Sequence, residues 1–129
     1  QQSNQNPVYY VQYAHARICS ILKNLGEVGP GPSGEVLPAV DVDAHEKSLV
    51  RTLTRFPGVL LAATETRSPH RVHTYLSELA GEFHVFYRNC RVLSDDADVA
   101  AYRAGLCIAT RTTLVCGLGL LGVSAPEAM

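Results

Sequence analysis

The chain has 129 residues, 47% of them hydrophobic and 18% charged, which excludes an intrinsically disordered segment and allows one domain, residues 1–129, with its own core. Lysine plus arginine total 11 against 12 for aspartate plus glutamate, a balance unlike the strongly basic free-standing nucleic-acid binders. Ten of the 11 cations fall between Arg17 and Arg103, however, and many acids cluster in loops, so a basic face on a neutral domain stays open.

No apolar run reaches the about 20 residues that span a membrane, which excludes a membrane partner as a helical span. The four cysteines, Cys19, Cys90, Cys107 and Cys116, form no CxxC pair. Each lies in an apolar helical context, which predicts reduced, small hydrophobic side chains in a cytoplasmic setting. The opening "QQSNQNP" is polar, uncharged and without an initiator methionine. It is unlike a signal peptide, and it predicts a chain that begins partway through a larger protein.

The first helix is expected to start with Asn6 as N-cap and Pro7 at its first position, and to stop near Leu25 at Gly26. Val8, Val11, Ala14, Ile18, Ile21, Leu22 and Leu25 share one broad apolar face at the helical angle. Tyr10, Tyr13 and Arg17 form a narrow ridge along the edge of that face. Residues 26–42, "GEVGPGPSGEVLPAVDV", are a loop, because their prolines and glycines exclude a continuous helix. The loop lacks the Gly-Lys-Ser/Thr ending of a phosphate-binding loop.

Asp43 and Glu46 have the spacing of a capping box for a second helix, with Leu49, Val50, Leu53 and Phe56 as its apolar side. Pro57 opens a short third helix through Thr66. Ser68 and Pro69 then start a fourth. In that helix Val72, Leu76, Leu79, Phe83, Phe86 and Cys90 step by four and three residues, the pattern of a buried seam. One residue further round runs a second stripe of His73, Ser77, Ala80, His84, Tyr87 and Arg91. Two helices therefore carry tyrosine and arginine beside their core stripe. "SDDAD" is a turn and cap cluster before a last helix from Ala97 to Leu121. Gly105, Gly117 and Gly119 lie inside that helix, each at a cost of about 0.5–1 kcal/mol against alanine. Close helix packing is the expected compensation. No strand alternation occurs, so the fold class is all-α, a bundle of about five helices.

Nothing in the chain assembles a catalytic site: there is no Gly-x-Ser-x-Gly, no HExxH and no pair of carboxylates on one helical face. The five histidines provide no third and fourth metal ligand at recognisable spacing. The tyrosine–arginine ridges allow two readings. They are boundary residues with buried rings and wet hydroxyls, or a platform on which unstacked bases lie while Arg17 and Arg91 meet phosphates or base edges.

Three blocks bear on this choice: "NPVYYVQYAHARI", "SPHRVHTYLSELAGEFHVFYRNCRVL" and "ATRTTLVCGLGLLGVSAPEAM". In order and spacing they resemble the C-terminal, DALR-type anticodon-binding domain of bacterial-type arginyl-tRNA synthetases, over nearly the whole chain. The resemblance implies a helical bundle that grips the anticodon stem-loop of arginine tRNA. It implies tRNA contact for Tyr10, Tyr13 and Arg17 on the first helix, Tyr87 and Arg91 on the fourth, and Met129 at the chain end. It also implies that Gln5 and Asn6 border a pocket for the middle anticodon base. The family tail is commonly Glu-Arg-Met, and here Ala128 stands in the arginine's place. The family's two ATP-binding signatures, His-x-Gly-His and Lys-Met-Ser-Lys-Ser, are absent. The chain is thus expected to have no catalytic residue, cofactor or metal of its own, and to serve a catalytic domain of the same enzyme that uses ATP and magnesium. Two other readings remain beside this one: a helical docking module without RNA specificity, and the equivalent domain of another class I synthetase.

Overall fold

The computed structural model describes residues 7–28, 43–92 and 97–129, without the side chains of residues 25–28 and 97. It contains five helices: α1 (Pro7–Val28), α2 (Ala44–Thr54), α3 (Phe56–Thr66), α4 (Pro69–Asn89) and α5 (Ala97–Leu120). There is no strand among the described residues. α4 is the central element. It packs against each of the other four helices, and α5 closes the bundle by packing on α1 and α2.

The expected seam of α4 is the core. Leu76, Leu79, Phe83 and Phe86 are wholly buried, and Val72 and Cys90 nearly so. From α1, Val11, Ala14, Ile18 and Ile21 meet that seam, and Cys107, Leu114 and Leu118 do so from α5. Tyr75 adds a buried ring outside the predicted stripe. Its hydroxyl donates to the backbone oxygen of Thr52 at 2.6 Å, and its ring stacks on Phe56 at 5.6 Å. A buried tyrosine generally needs such a partner for its hydroxyl.

The start signals hold unevenly. The Asp43 capping box forms: Asp43 Oδ1 accepts from the His45 amide at 2.8 Å and Glu46 Oε1 from the Asp43 amide at 2.9 Å. Ser68 precedes α4 but makes no side-chain cap; its hydroxyl donates backwards to Thr66 O at 3.2 Å. The Asn6 cap and most of the "SDDAD" cluster lie outside the described residues. Helix α1 continues through Gly26 to Val28. Glycine lowers helix propensity without forbidding helical angles, so it is a weaker stop than the prolines beyond it.

The glycines of α5 separate in the same way. A Cβ on Gly117 would lie 2.5 Å from Leu76 Cδ2, so α4 and α5 approach closely there, whereas Gly105 and Gly119 face open space. The cysteines are all free; Cys90 and Cys107 are buried, but Cys116 is exposed, so the apolar setting expected for it is not realised. Burial pushes the Cys107 thiol up to about 12. No described helix is long and apolar enough to cross a membrane.

α5 ends in a device that matters for the site. Gly122 takes φ +73°, the Val123 amide donates to Leu118 O at 2.9 Å, and the Gly122 amide donates to Gly119 O at 3.0 Å. This is a Schellman cap, which reverses the chain after the last turn. Residues 123–129 then run back along α1.

Candidate nucleic-acid interface

The two stripes read from the sequence meet in space where α1 crosses α4. Gly81 sits at the crossing, and a Cβ there would be 3.6 Å from the Tyr10 hydroxyl, in ordinary contact. Beyond it the residues enlarge and the surface opens. Tyr10 and Tyr13 from α1 lie 5.6 Å and 6.2 Å, ring to ring, from His84 of α4. The Arg17 guanidinium lies over the Tyr87 ring at 5.0 Å, and its Nη1 is 3.3 Å from His84 Nδ1. Tyr87 is braced from below by Phe83, nearly parallel at 12°. The result is a cluster of five rings, Phe83 among them as the base, with one cation against Tyr87 and His84.

The returning tail forms the other wall. Gln12 Nε2 donates to Ser124 O at 2.9 Å, and His15 Nδ1 donates to Pro126 O at 2.8 Å. A carbonyl only accepts, so the His15 proton lies on Nδ1. His15 is buried beneath the tail, at 3% exposure. The tail carries Ala128 and Met129 to Tyr13, Ala16, Arg17 and Ser20, around a cavity of about 250 Å³. Tyr13 is 44% exposed and Met129 51%, so both present unburied apolar surface beside a positive charge.

Of the residues singled out from the sequence, the fold brings Tyr10, Tyr13, Arg17, Tyr87 and Met129 together. For Arg91 the expected place on the α4 stripe is corrected. Its place on the stripe assumes that α4 continues one turn past Tyr87, but Cys90 caps the helix with an extended backbone (φ −127°, ψ 120°). Arg91 therefore stands past the helix end, exposed, with its carbonyl accepting from Arg103 Nη1 at 2.7 Å. Gln5 and Asn6 lie outside the described residues. His84 belongs to the cluster yet was not among the expected contacts, although its position one turn before Tyr87 on the second stripe was a usable signal. Burial, then the charges of Arg17 and Arg88, hold the His84 imidazole below its ordinary range, so it is a neutral ring at neutral pH.

A larger cavity of about 580 Å³ lies elsewhere, beside α3 and α4, among Arg55, His70, Arg71, Tyr75 and Glu78. Of its two arginines, Arg55 is already engaged, 2.9 Å from Glu78 and 5.6 Å above the Tyr75 ring. The smaller site on α1 differs in that its cation, Arg17, lies against two rings, with no carboxylate paired to it among the described residues.

The model of the DALR anticodon binding domain matches residues 11–129. The chain belongs to this family. It is 51% identical, over 98% of its length, to the arginine–tRNA ligase of Symbiobacterium thermophilum, of which it covers 23%. The arginyl-tRNA synthetase of Thermus thermophilus superposes with a TM-score of 0.81 at 34% identity, covering 98% of this chain and 22% of that one. A putative arginyl-tRNA synthetase from Campylobacter jejuni also gives 0.81, at 27% identity over 100% of this chain and 28% of that one. This DALR domain thus corresponds to less than a third of each of these relatives, and the aligned part of the ligase is its C-terminal region.

Proposed function

We propose that this DALR domain reads the anticodon arm of arginine tRNA and selects that tRNA for a parent arginine–tRNA ligase. The parent would attach arginine with ATP and magnesium in a catalytic domain outside this chain; the contribution made here is the positioning of the tRNA. The single observation that carries the reading is the convergence of Tyr10, Tyr13, Arg17, Tyr87 and Met129 on one open surface. Exposed rings accept unstacked bases, and Arg17, which has no carboxylate paired to it among the described residues, is available to phosphate. The contact is expected to be local, because the overall charge of −1 gives no long-range attraction for RNA.

The test is a titration with an arginine-tRNA anticodon stem-loop and with a copy changed at the middle anticodon base, each at two salt concentrations. Binding should weaken with salt and favour the unchanged loop. Tyr13→Ala and Tyr87→Ala should each lose about 1–3 kcal/mol of binding while the helices persist. Equal binding of both loops reduces the function to backbone contact. Salt-independent behaviour with no preference among RNAs would turn the assignment to a protein-docking module.

A further inference from the structure

His84 occupies the middle of the ring cluster, and its protonation is dictated by its neighbour. A guanidinium has five donors and no acceptor. With Arg17 Nη1 at 3.3 Å, His84 Nδ1 has to accept, so the ring proton lies on Nε2. Arg17 is itself held over Tyr87 at 5.0 Å, which keeps the guanidinium directed at Nδ1. From α1 the groups facing His84 are Tyr10, Tyr13 and Arg17; from its own helix Arg88 acts on it. Both charges are positive, so nothing among them favours the imidazolium. Nε2–H makes no hydrogen bond with another described residue.

A neutral imidazole with a fixed donor, set among tyrosine rings, differs from the tyrosines in what it offers a base. The rings stack without regard to sequence. A donor held in one place distinguishes a carbonyl oxygen or bare ring nitrogen from an amino group, because an amino group pointed at it leaves two donors facing each other.

We propose that His84 is a specificity-determining residue of the RNA site, donating its Nε2–H to an acceptor on the edge of one unstacked nucleobase, with Arg17 as the positioning residue that sets its tautomer. The inference rests on the anticodon-arm reading and adds a base-reading group to it. The ligand chemistry is a base carbonyl oxygen or unprotonated ring nitrogen lying against the Tyr10–Tyr13 edge of the cluster.

The decisive experiment crosses two scans on the 129-residue chain. The stem-loop is made with each loop base replaced in turn by an abasic nucleotide, and each RNA is titrated against the wild type, His84→Phe and His84→Gln. Phenylalanine keeps a flat ring and loses the donor; glutamine keeps a donor and loses the ring. In His84→Phe, affinity for the intact loop should fall about three- to tenfold, as for one neutral hydrogen bond. Removal of one particular base should then cause little further loss, while the salt dependence stays that of the wild type. His84→Gln should recover part of the preference at that base. A wild-type base scan in His84→Phe would overturn the inference and leave the anticodon-arm function standing; failure of the wild-type chain to bind any loop would overturn both. The tautomer is checked without RNA and without a variant, by the ring 15N shifts of His84 at neutral pH. They should report Nε2–H, and an Nδ1–H ring or an imidazolium would overturn the inference whatever the variants do.

Discussion

Arg17 and Arg103 use the same side chain in opposite ways. Arg103 of α5 reaches into the α2–α4 side of the bundle, where Glu46 Oε2 lies 3.3 Å from its Nε and the Arg91 carbonyl 2.7 Å from its Nη1. Its side chain is 17% exposed and that of Glu46 wholly buried, so charge, hydrogen bonds and position are all committed to the fold. Arg17 is exposed and meets Tyr87 and His84, neither of which neutralises it. A cation spent on a buried carboxylate holds helices together; a cation resting on rings keeps its charge for a ligand. The contrast explains how a protein of net charge −1 can still expose a cation that its described neighbours do not neutralise.

The largest effect that tests the contrast is on the committed arginine. Arg103→Ala should destabilise the domain by about 3–5 kcal/mol, because Glu46 would keep a buried charge without its partner. The denaturant midpoint measures this, and the fraction that remains folded should bind RNA as the wild type does. Arg17→Ala should give the reverse: a stability change within about 0.5 kcal/mol and a loss of binding with a shallower salt dependence. If both substitutions acted mainly on stability, the division between structural and ligand-facing arginines would fail.

The intermediate effect concerns the tail that walls the site. Gly122→Ala puts a side chain where φ is +73° and should lower stability by about 1 kcal/mol. It should also loosen the turn that carries Ser124 and Pro126 to Gln12 and His15, and with it the position of Met129. RNA affinity should therefore fall by more than the small change in folded fraction accounts for. Titration well below the unfolding midpoint separates the two. An unchanged affinity would show that the tail is not a wall of the site.

The same contrast governs what could be read from the chain. The α4 seam and the α1 face were legible because burial follows helical periodicity: all six seam residues are in the core, as are Val11, Ala14, Ile18 and Ile21 of α1, with Leu22 packed against it. The Tyr10–Tyr13–Arg17 ridge and the Tyr87 stripe were legible as departures from that periodicity. Their meeting was not, since nothing local specifies where α1 crosses α4. The tail has no periodic pattern, and its course depends on two side chains more than 110 positions away in the sequence, Gln12 and His15. Arg91 was misplaced because the stripe was extended one turn past a helix end that only the cap reveals. His84 stood on the second stripe without an assigned role, because its contact with Arg17 of α1 depends on the same helix crossing.

The smallest effect tests whether the rings of the open region are truly neutral. His84 has its pKa held below the ordinary 6.5, first by burial and then by Arg17 and Arg88. The unfolded chain then takes up a proton more readily than the folded one, so the unfolded state is favoured as pH falls. The stability linked to His84 is fully present above about 6.5 and is lost as pH drops through its lower folded value. Chemical denaturation between pH 7.5 and 5.5 should show this acid-side loss in the wild type and a smaller one in His84→Phe. Arg17→Gln removes one of the two opposing charges and should shrink the loss part of the way, since burial remains. The comparison of Arg17 with Arg103 predicts that Arg103→Gln leaves this difference between wild type and His84→Phe intact, because that charge acts on Glu46 and not on the rings.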